Sequence, residues 1–574
     1  MKTLTKKQKI LKDFQEDFLK IVPLGGLEEI GRNMTYFEYK DDIIIVDMGL
    51  GFPDTEAMPG VDFIIPNIQS LEGKVDKIRG IFITHGHYDH IGAIPYLIDK
   101  LGNPPIYATP LSKGIILRRQ EDFPYASKLQ IIEFQKNLKE KIKVGNFEIE
   151  WFHVNHNIPD SVGFLIKTPV GNIIHTGDFK IDFTPMCDLP ADLVRIVELS
   201  KDITLLMADS TNADKPGHVI SEREIMKNLE EIFKDAPKRI FASTFASLIE
   251  RIQQLIWLSE KYQRKVVIDG YTMKMNVEVA KAMNFIKANK FTFISPEEAL
   301  KMDPSRVTVI CTGAQGEDNS VLMRIANGEH KYFKIQPLDT VIFSSSVVPG
   351  NERSVQALKD QLYRQGARVF HYQMMDIHAS GHAYAEDLKL LLKIVNPKYF
   401  MPIHGHFYLL KQAGEIAENL GYSPEQIIIA RNGSVIYLTK NKVWVSEETV
   451  PSNYVFVDGL GIGDVGEVVL RDRQVMSKDG IFVILTVIDS QTGRLRTSPD
   501  IISRGFVYLR ESQELLKEVR NLIKKIIARS INQDSPRPFI NEEYIKNNIK
   551  EEVGEFLFKK THRRPMVIPV IAQV

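Results

Sequence analysis

Seven residues constrain this chain more than any others: Thr84-His85-Gly86-His87-Tyr88-Asp89-His90. Three histidines and an aspartate fall within six residues, directly after the apolar run Ile81-Phe82-Ile83. That run reads as a buried strand, so the polar side chains land on a loop at its carboxyl end. With 14 histidines in 574 residues, a His-x-His-x-Asp-His spacing arises by chance in about one such chain in two thousand. Imidazoles and carboxylates at this density suit two adjacent divalent ions. Six residues do not close two such sites. The fold must bring further ligands to the same place.

The same pattern recurs along the chain. Ile43–Val46 ends at Asp47, and the alternating strand around Phe147, Ile149 and Trp151 runs into His153-Val154-Asn155-His156. Ile173-Ile174-His175 leads to Thr176-Gly177-Asp178, Thr204–Ala208 to Asp209-Ser210-Thr211-Asn212, and Tyr399-Phe400-Met401 to Pro402-Ile403-His404-Gly405-His406. Enzymes of α/β type build sites this way, on loops at one edge of a rigid sheet. By position after a strand, His156, Asp178 and His404 complete a set of seven ligands. His85, His87 and His156 form a three-nitrogen site; Asp89, His90 and His404 form a second; Asp178 bridges them. The imidazole-rich set favours two zinc ions, with manganese or magnesium as substitutes. Lone histidines such as His153, His175 and His371 read as structural.

Two ions about 3.5–4 Å apart supply a hydroxide at neutral pH and bind a phosphoryl oxygen. In-line attack on phosphorus is phosphodiester hydrolysis, and the leaving alkoxide needs a proton. His378 and His382, in His378-Ala379-Ser380-Gly381-His382, are left over by the metal count and count with Asp89 as catalytic candidates. They serve equally well as groups that only orient substrate. Asp209 is placed to hydrogen-bond a ligand histidine. The same ion pair can hydrolyse a lactam, thioester or lactone. About 160 residues of α/β pattern inserted before His404 suit instead a long substrate clamped between domains.

A chain of 574 residues forms two to four domains. Residues 1–20 are a basic tail without the apolar core of a secretory signal. The first part of the metal domain spans 21–214. An insertion of alternating strands and helices, with a parallel sheet, spans 215–375. The metal domain resumes over 376–454, a Gly-rich linker covers 455–478, and a small α/β unit covers 479–574. In the insertion, Cys311-Thr312-Gly313-Ala314-Gln315-Gly316 and Ser344–Glu352 are loops that can cradle phosphate or serve as plain turns. Lys+Arg and Asp+Glu both number 73, so a nucleic-acid surface must be a local patch. Two cysteines, Cys187 and Cys311, suit a reducing cytoplasm, and no apolar run is long enough to span a membrane.

The cluster at 85–90 is similar to the signature of the metallo-β-lactamase fold. Asp209, His382 in its His-Ala-Ser-Gly-His, and His404 in Pro-Ile-His-Gly resemble the extra motifs of its β-CASP branch. Leu24-Gly25-Gly26, Glu29–Met34, Ile158-Pro159-Asp160-Ser161, His175–Lys180, Asp209–Asn212, Pro349-Gly350-Asn351-Glu352 and Ser503–Val507 together resemble the bacterial ribonuclease J family, from about residue 20 to the end. The resemblance implies an αββα sandwich interrupted by a β-CASP domain, with a small C-terminal domain that assists dimer or tetramer assembly. It implies a zinc-dependent ribonuclease with 5′→3′ exonuclease activity on 5′-monophosphorylated single-stranded RNA, and endonuclease activity, in mRNA decay and rRNA maturation. Partners would be RNA and RNA-decay or ribosome-associated proteins. By carry-over, Ser247 and the loop of His378, Ala379, Ser380, Gly381 and His382 would contact the RNA phosphate. Asn157, His406 and Tyr88 depart from the family pattern without removing a ligand.

A DNA nuclease of the same branch is the nearest rival, since a contact to the 2′-hydroxyl is not legible in sequence. An RNA-binding scaffold with vestigial metals is disfavoured by the complete ligand set, and a small-substrate hydrolase by the insertion.

Overall fold

The computed structural model describes residues 17–54, 57–313, 316, 320–347, 351–459, 461–463, 466–507, 512–532 and 538–574. Most of the basic tail, and parts of the loops 311–316 and 344–352 and of the Gly-rich turn at 457–464, lie outside them. The chain divides into two compact units, one reaching Gly51 and resuming over Ile65–Tyr454, the other made of Phe52–Ile64 with Val455–Val574.

In the first unit, an eight-stranded sheet runs in the order Val443–Thr449, Ser434–Leu438, Leu19–Gly25, Met34–Tyr39, Asp42–Val46, Ile78–Phe82, Ile106–Ala108, Ile131–Glu133. A six-stranded sheet runs Tyr399–Ile403, Ile203–Asp209, Gly171–His175, Val162–Thr168, Phe147–His153, Ile142–Val144. Strand periodicity explains how they stack. Phe164, Ile173 and Leu205 join Phe37 and Phe82 of the other sheet in one buried cluster. Their neighbours Leu165, Ile174 and Leu206 point the other way, onto Ile196, Leu388, Leu391 and Ile416 of the outer helices. On the far side, the helix Pro110–Gln120 packs beside the edge strand Ile131–Glu133. This is the expected αββα sandwich.

The insertion, expected over 215–375, lies between the strand Ile203–Asp209 and the helix Ala385–Val395, which packs on the sandwich. Its five-stranded sheet, in the order Lys265–Asp269, Val307–Cys311, Ile240–Ser243, Thr340–Phe343, Arg368–His371, is parallel throughout. One of its helices spans Tyr271–Ala282.

In the second unit, strand Ile481–Ile488 pairs parallel with Met566–Gln573 and antiparallel with Asp500–Arg504. Helices Gln513–Ser530 and Glu542–Thr561 cover one face of this sheet through Leu516, Val519, Ile523, Ile549 and Val553. Residues 455–478, expected to be a linker, hold strands Val455–Asp458 and Gly461–Ile462 and nearly all of the helix Glu467–Asp479. They pack around Val61 and Leu470, and the strand Phe63–Ile65 completes their sheet. The glycines suggested a linker because that apolar partner lies in a distant segment of the chain.

Candidate metal centre

Strand direction builds the centre. Gly171–His175, Ile203–Asp209 and Tyr399–Ile403 are parallel neighbours, with His175 opposite Met207 and Met207 opposite Met401. Their carboxyl ends align, so Asp178, Asp209 and His404 emerge at one edge. Phe147–His153 is antiparallel to Val162–Thr168, itself antiparallel to Gly171–His175, so His156 emerges there too. The other sheet delivers residues 84–90 from the end of Ile78–Phe82. Asp47 and His404 carry φ of 60° and 51°, a left-handed conformation that side-chain-bearing residues adopt at a cost and that gathers at functional sites.

Three imidazoles converge first. His85 Nε2 lies 3.1 Å from His87 Nδ1, and His156 Nε2 lies 3.0 Å from the same atom. The outer nitrogens fix two of these orientations: His156 Nδ1 donates to the Gly381 carbonyl at 2.7 Å, and His85 Nδ1 meets Thr84 Oγ1 at 3.0 Å. Burial holds the His85 and His156 imidazoles well below their ordinary range and pulls His87 down to about 4. All three are therefore neutral near pH 7, with lone pairs turned inward. Two nitrogens on one tetrahedral zinc ion stand about 3.3 Å apart, so the donor set fits such an ion.

The second group joins Asp89, His90, Asp178 and His404. Asp89 Oδ2 lies 3.5 Å from both His90 Nε2 and His404 Nε2. His404 Nδ1 lies 2.9 Å from Asp178 Oδ1. Burial opposes protonation of both histidines, but the carboxylates outweigh it: Asp178, Asp89 and Asp47 raise His90 well above its usual range, and Asp178 helps push His404 up to about 10. Burial works against ionisation of Asp178 and Asp89 as well, yet His404 and His90 hold both below the usual carboxylate range. Carboxylates and imidazoles so arranged favour positive charge, and a divalent cation would supply it in place of the protons.

Asp178 faces both groups with one atom. Its Oδ2 is 3.7 Å from His85 Nε2, 3.7 Å from His156 Nε2 and 3.2 Å from His90 Nε2. The seven residues expected as ligands are thus brought together around Asp178, and Asp178 and His404 also lie within reach of Asp209 and His382.

Two residues that sequence reasoning missed support this arrangement. The buried Asp47 accepts from Thr84 N at 2.8 Å and Thr84 Oγ1 at 2.9 Å, and holds His90 Nδ1 at 2.8 Å. It thereby presents His90 Nε2 to the centre. Asn33 Nδ2 donates to the Asp89 carbonyl at 3.2 Å and sits 3.0 Å from His90 Nε2. Asp47 was visible only as a strand end before glycines, the signature of an ordinary turn.

The loop 378–382 divides. His382 belongs to the centre: its Nδ1 bonds Asp209 Oδ2 at 2.8 Å, and its ring lies 5.0 Å from that of His156. Burial lowers its basicity, but Asp209 more than offsets this, so His382 sits above its ordinary range. Asp209 was expected to orient a ligand histidine. It holds His382 instead, while His404 Nδ1 stands 3.8 Å away. Its Oδ1 accepts from Thr211 N and Oγ1. Among the described residues His378 joins no metal-type group; burial, then Arg251, push it down to about 3. Its ring lies 5.8 Å from that of Phe245, two residues before Ser247 in the sequence. Ala379 is buried, and Ser380 Oγ accepts from Asn212 Nδ2 at 2.6 Å. Gly381 is tightly enclosed: a Cβ there would stand 2.7 Å from Asn157 Cγ and His156 Cε1. Of the departures from the family pattern, His406 is exposed and stacks on Tyr408, and Tyr88 lies under the Arg119 guanidinium.

Family models match most of the chain. The model described as Metallo-beta-lactamase superfamily matches residues 28–230, and Ribonuclease J, beta-CASP domain, matches 237–362. Zn-dependent metallo-hydrolase RNA specificity domain matches 369–428, and Ribonuclease J C-terminal domain matches 468–574. The chain is 39% identical to Ribonuclease J 1 of Streptococcus pyogenes over 553 residues, covering 96% of this chain and 97% of the relative. It is 38% identical to Ribonuclease J of Thermus thermophilus, covering 97% and 96%, and 34% identical to Ribonuclease J2 of Bacillus subtilis, covering 97% and 99%. A solved structure of a protein of unknown function from Enterococcus faecalis shares the fold, at 18% identity and a TM-score of 0.53 over 73% of this chain and 100% of its own.

Proposed function

Because this chain belongs to the ribonuclease J family, we propose that it degrades single-stranded RNA 5′→3′ from a 5′-monophosphorylated end and also cuts RNA internally, in mRNA decay and rRNA maturation. It is a metal-dependent RNA phosphodiester hydrolase. The observation that carries the two-ion reading is the single oxygen of Asp178 within 3.7 Å of nitrogens from both groups. Two zinc ions, replaceable by manganese or magnesium, would be held by His85, His87 and His156, by Asp89, His90 and His404, and by Asp178 between them. Bound there, they supply an activated water and neutralise phosphoryl charge.

The chain's own residues do the rest. With Nδ1 engaged by Asp209, His382 is left with Nε2 to hand a proton to the leaving 3′-oxygen. His378, held neutral, orients substrate from the loop 378–382, and that loop with Ser247 takes the RNA phosphate. Self-association as a dimer or tetramer involves the C-terminal sheet, whose Ile502, Ile568 and Val570 are exposed. RNA-decay or ribosome-associated proteins are further partners in this reading, and the cytoplasm its compartment. Among the described residues no helix is long and apolar enough to cross a membrane.

The test is degradation of matched oligomers. 5′-monophosphorylated RNA should be degraded faster than 5′-triphosphorylated RNA, and DNA of the same sequence should resist. DNA cut as fast as RNA would overturn this choice in favour of a DNA nuclease of the same branch. His87→Ala should abolish cleavage and retain RNA binding.

A further inference from the structure

Beneath the loop that precedes His378 lies a run of buried charges that joins the metal edge to the insertion. Lys180, two residues after Asp178, donates to Glu222 Oε1 at 2.9 Å, and both side chains are 1% exposed. Glu222 opens the helix Glu222–Asp235, the first of the insertion. Its Oε2 accepts from Arg251 Nη2 at 2.7 Å and from Gln254 Nε2 at 3.0 Å. Arg251, on the helix Ile249–Lys261, is 0% exposed. Its Nε donates to Gln254 Oε1 at 2.7 Å. Its Nη1 donates to the Ile377 carbonyl at 2.6 Å and also to Ser344 Oγ, which itself donates to that carbonyl at 2.6 Å.

Ile377 immediately precedes His378. Past it, the loop is fixed from the metal side by His156 on the Gly381 carbonyl, Asn212 on Ser380 and Asp209 on His382. One end of the loop is thus tied to the centre and the other to the guanidinium. A planar guanidinium can point donors at Glu222, Gln254, Ser344 and Ile377 at once; a lysine ammonium has no such fork. We propose that Arg251 is a positioning residue: it registers the Ile377–His378 end of the loop against the metal edge, setting how tightly RNA is held, while His156 and Asp209 keep Gly381 and His382 in place. The inference rests on the reading of that loop as the RNA-phosphate contact.

The test uses Arg251→Lys, which keeps a charge beside Glu222, and Arg251→Met. Each should raise KM for single-stranded RNA about tenfold or more while kcat changes less than about threefold, with metal content unchanged. Amide hydrogen exchange in peptides spanning 377–384 should quicken about tenfold or more, with that of 85–90 unchanged. A general loss of folded enzyme would lower apparent kcat at constant KM, and that result, or unchanged exchange at 377–384, overturns the proposal. If the unmodified protein cleaves no RNA, the functional reading fails, and the exchange measurement alone decides the role of Arg251.

Discussion

Replacing Asp47 with Asn should weaken one of the two metal positions and spare the other. Asp47 Oδ1 accepts from Thr84 N, while Oδ2 serves both Thr84 Oγ1 and His90 Nδ1, at 2.9 and 2.8 Å. In Asp47→Asn the remaining oxygen keeps the backbone bond, and an NH2 group takes the place of Oδ2. Two buried donors then face a donor; Thr84 Oγ1 turns its hydrogen away and goes on accepting from His85 Nδ1, so the three-histidine position is kept. His90 relieves the conflict by moving its proton to Nε2, the nitrogen needed for the ion. Loss of such a supporting partner typically weakens metal binding 10–100-fold, about 1.4–2.7 kcal/mol. Competition titration with a chromophoric chelator should resolve a tight position unchanged, held by His85, His87 and His156, and a second weakened by that factor. Excess metal should restore part of the activity. Equal weakening at both positions, or none at either, would refute the claim that Asp47 acts through His90.

His382→Asn should lower kcat by about 10²–10⁴ with metal content retained, measured by single-turnover cleavage at saturating RNA. Gly381→Ala forces a Cβ to within 2.7 Å of Asn157 and His156; kcat/KM should fall about a hundredfold, and Asn157→Ala in the same chain should recover part of it. Burial, then Glu222, push the buried Glu250 up to about 8 from an ordinary 4.5. The folded chain therefore binds one more proton than the unfolded chain across that window, and stability falls as pH rises through it. Thermal melts of Glu250→Gln should match the unmodified protein near pH 5 and show a higher Tm near pH 9.

The cluster at 85–90 and the loops beyond these strands were legible because Gly171–His175, Ile203–Asp209 and Tyr399–Ile403 run parallel, and Phe147–His153, two antiparallel steps away, runs the same way, so their carboxyl ends open at one edge. Position after a strand located His156, Asp178 and His404 without knowledge of strand order. What stayed hidden depends on contacts between distant segments. Asp47 is 37 residues from Thr84, and its position before glycines looks like a turn. Sequence could not separate His378 from His382, four residues apart in one motif; their surroundings differ because Asp209 reaches only the second. Nothing local in the sequence marks the charges of Lys180, Glu222 and Arg251 as buried, since elements distant in the chain bring them together. The Gly-rich stretch after 455 read as a linker for the same reason.

The central claim is that two ions share Asp178. Crystals grown with zinc and measured across the zinc absorption edge test it directly. Two anomalous peaks about 3.5–4 Å apart, one among His85, His87 and His156 and the other among Asp89, His90 and His404, with Asp178 touching both, are the expected result. A single peak, or two peaks with Asp178 ligating neither or only one, would contradict it.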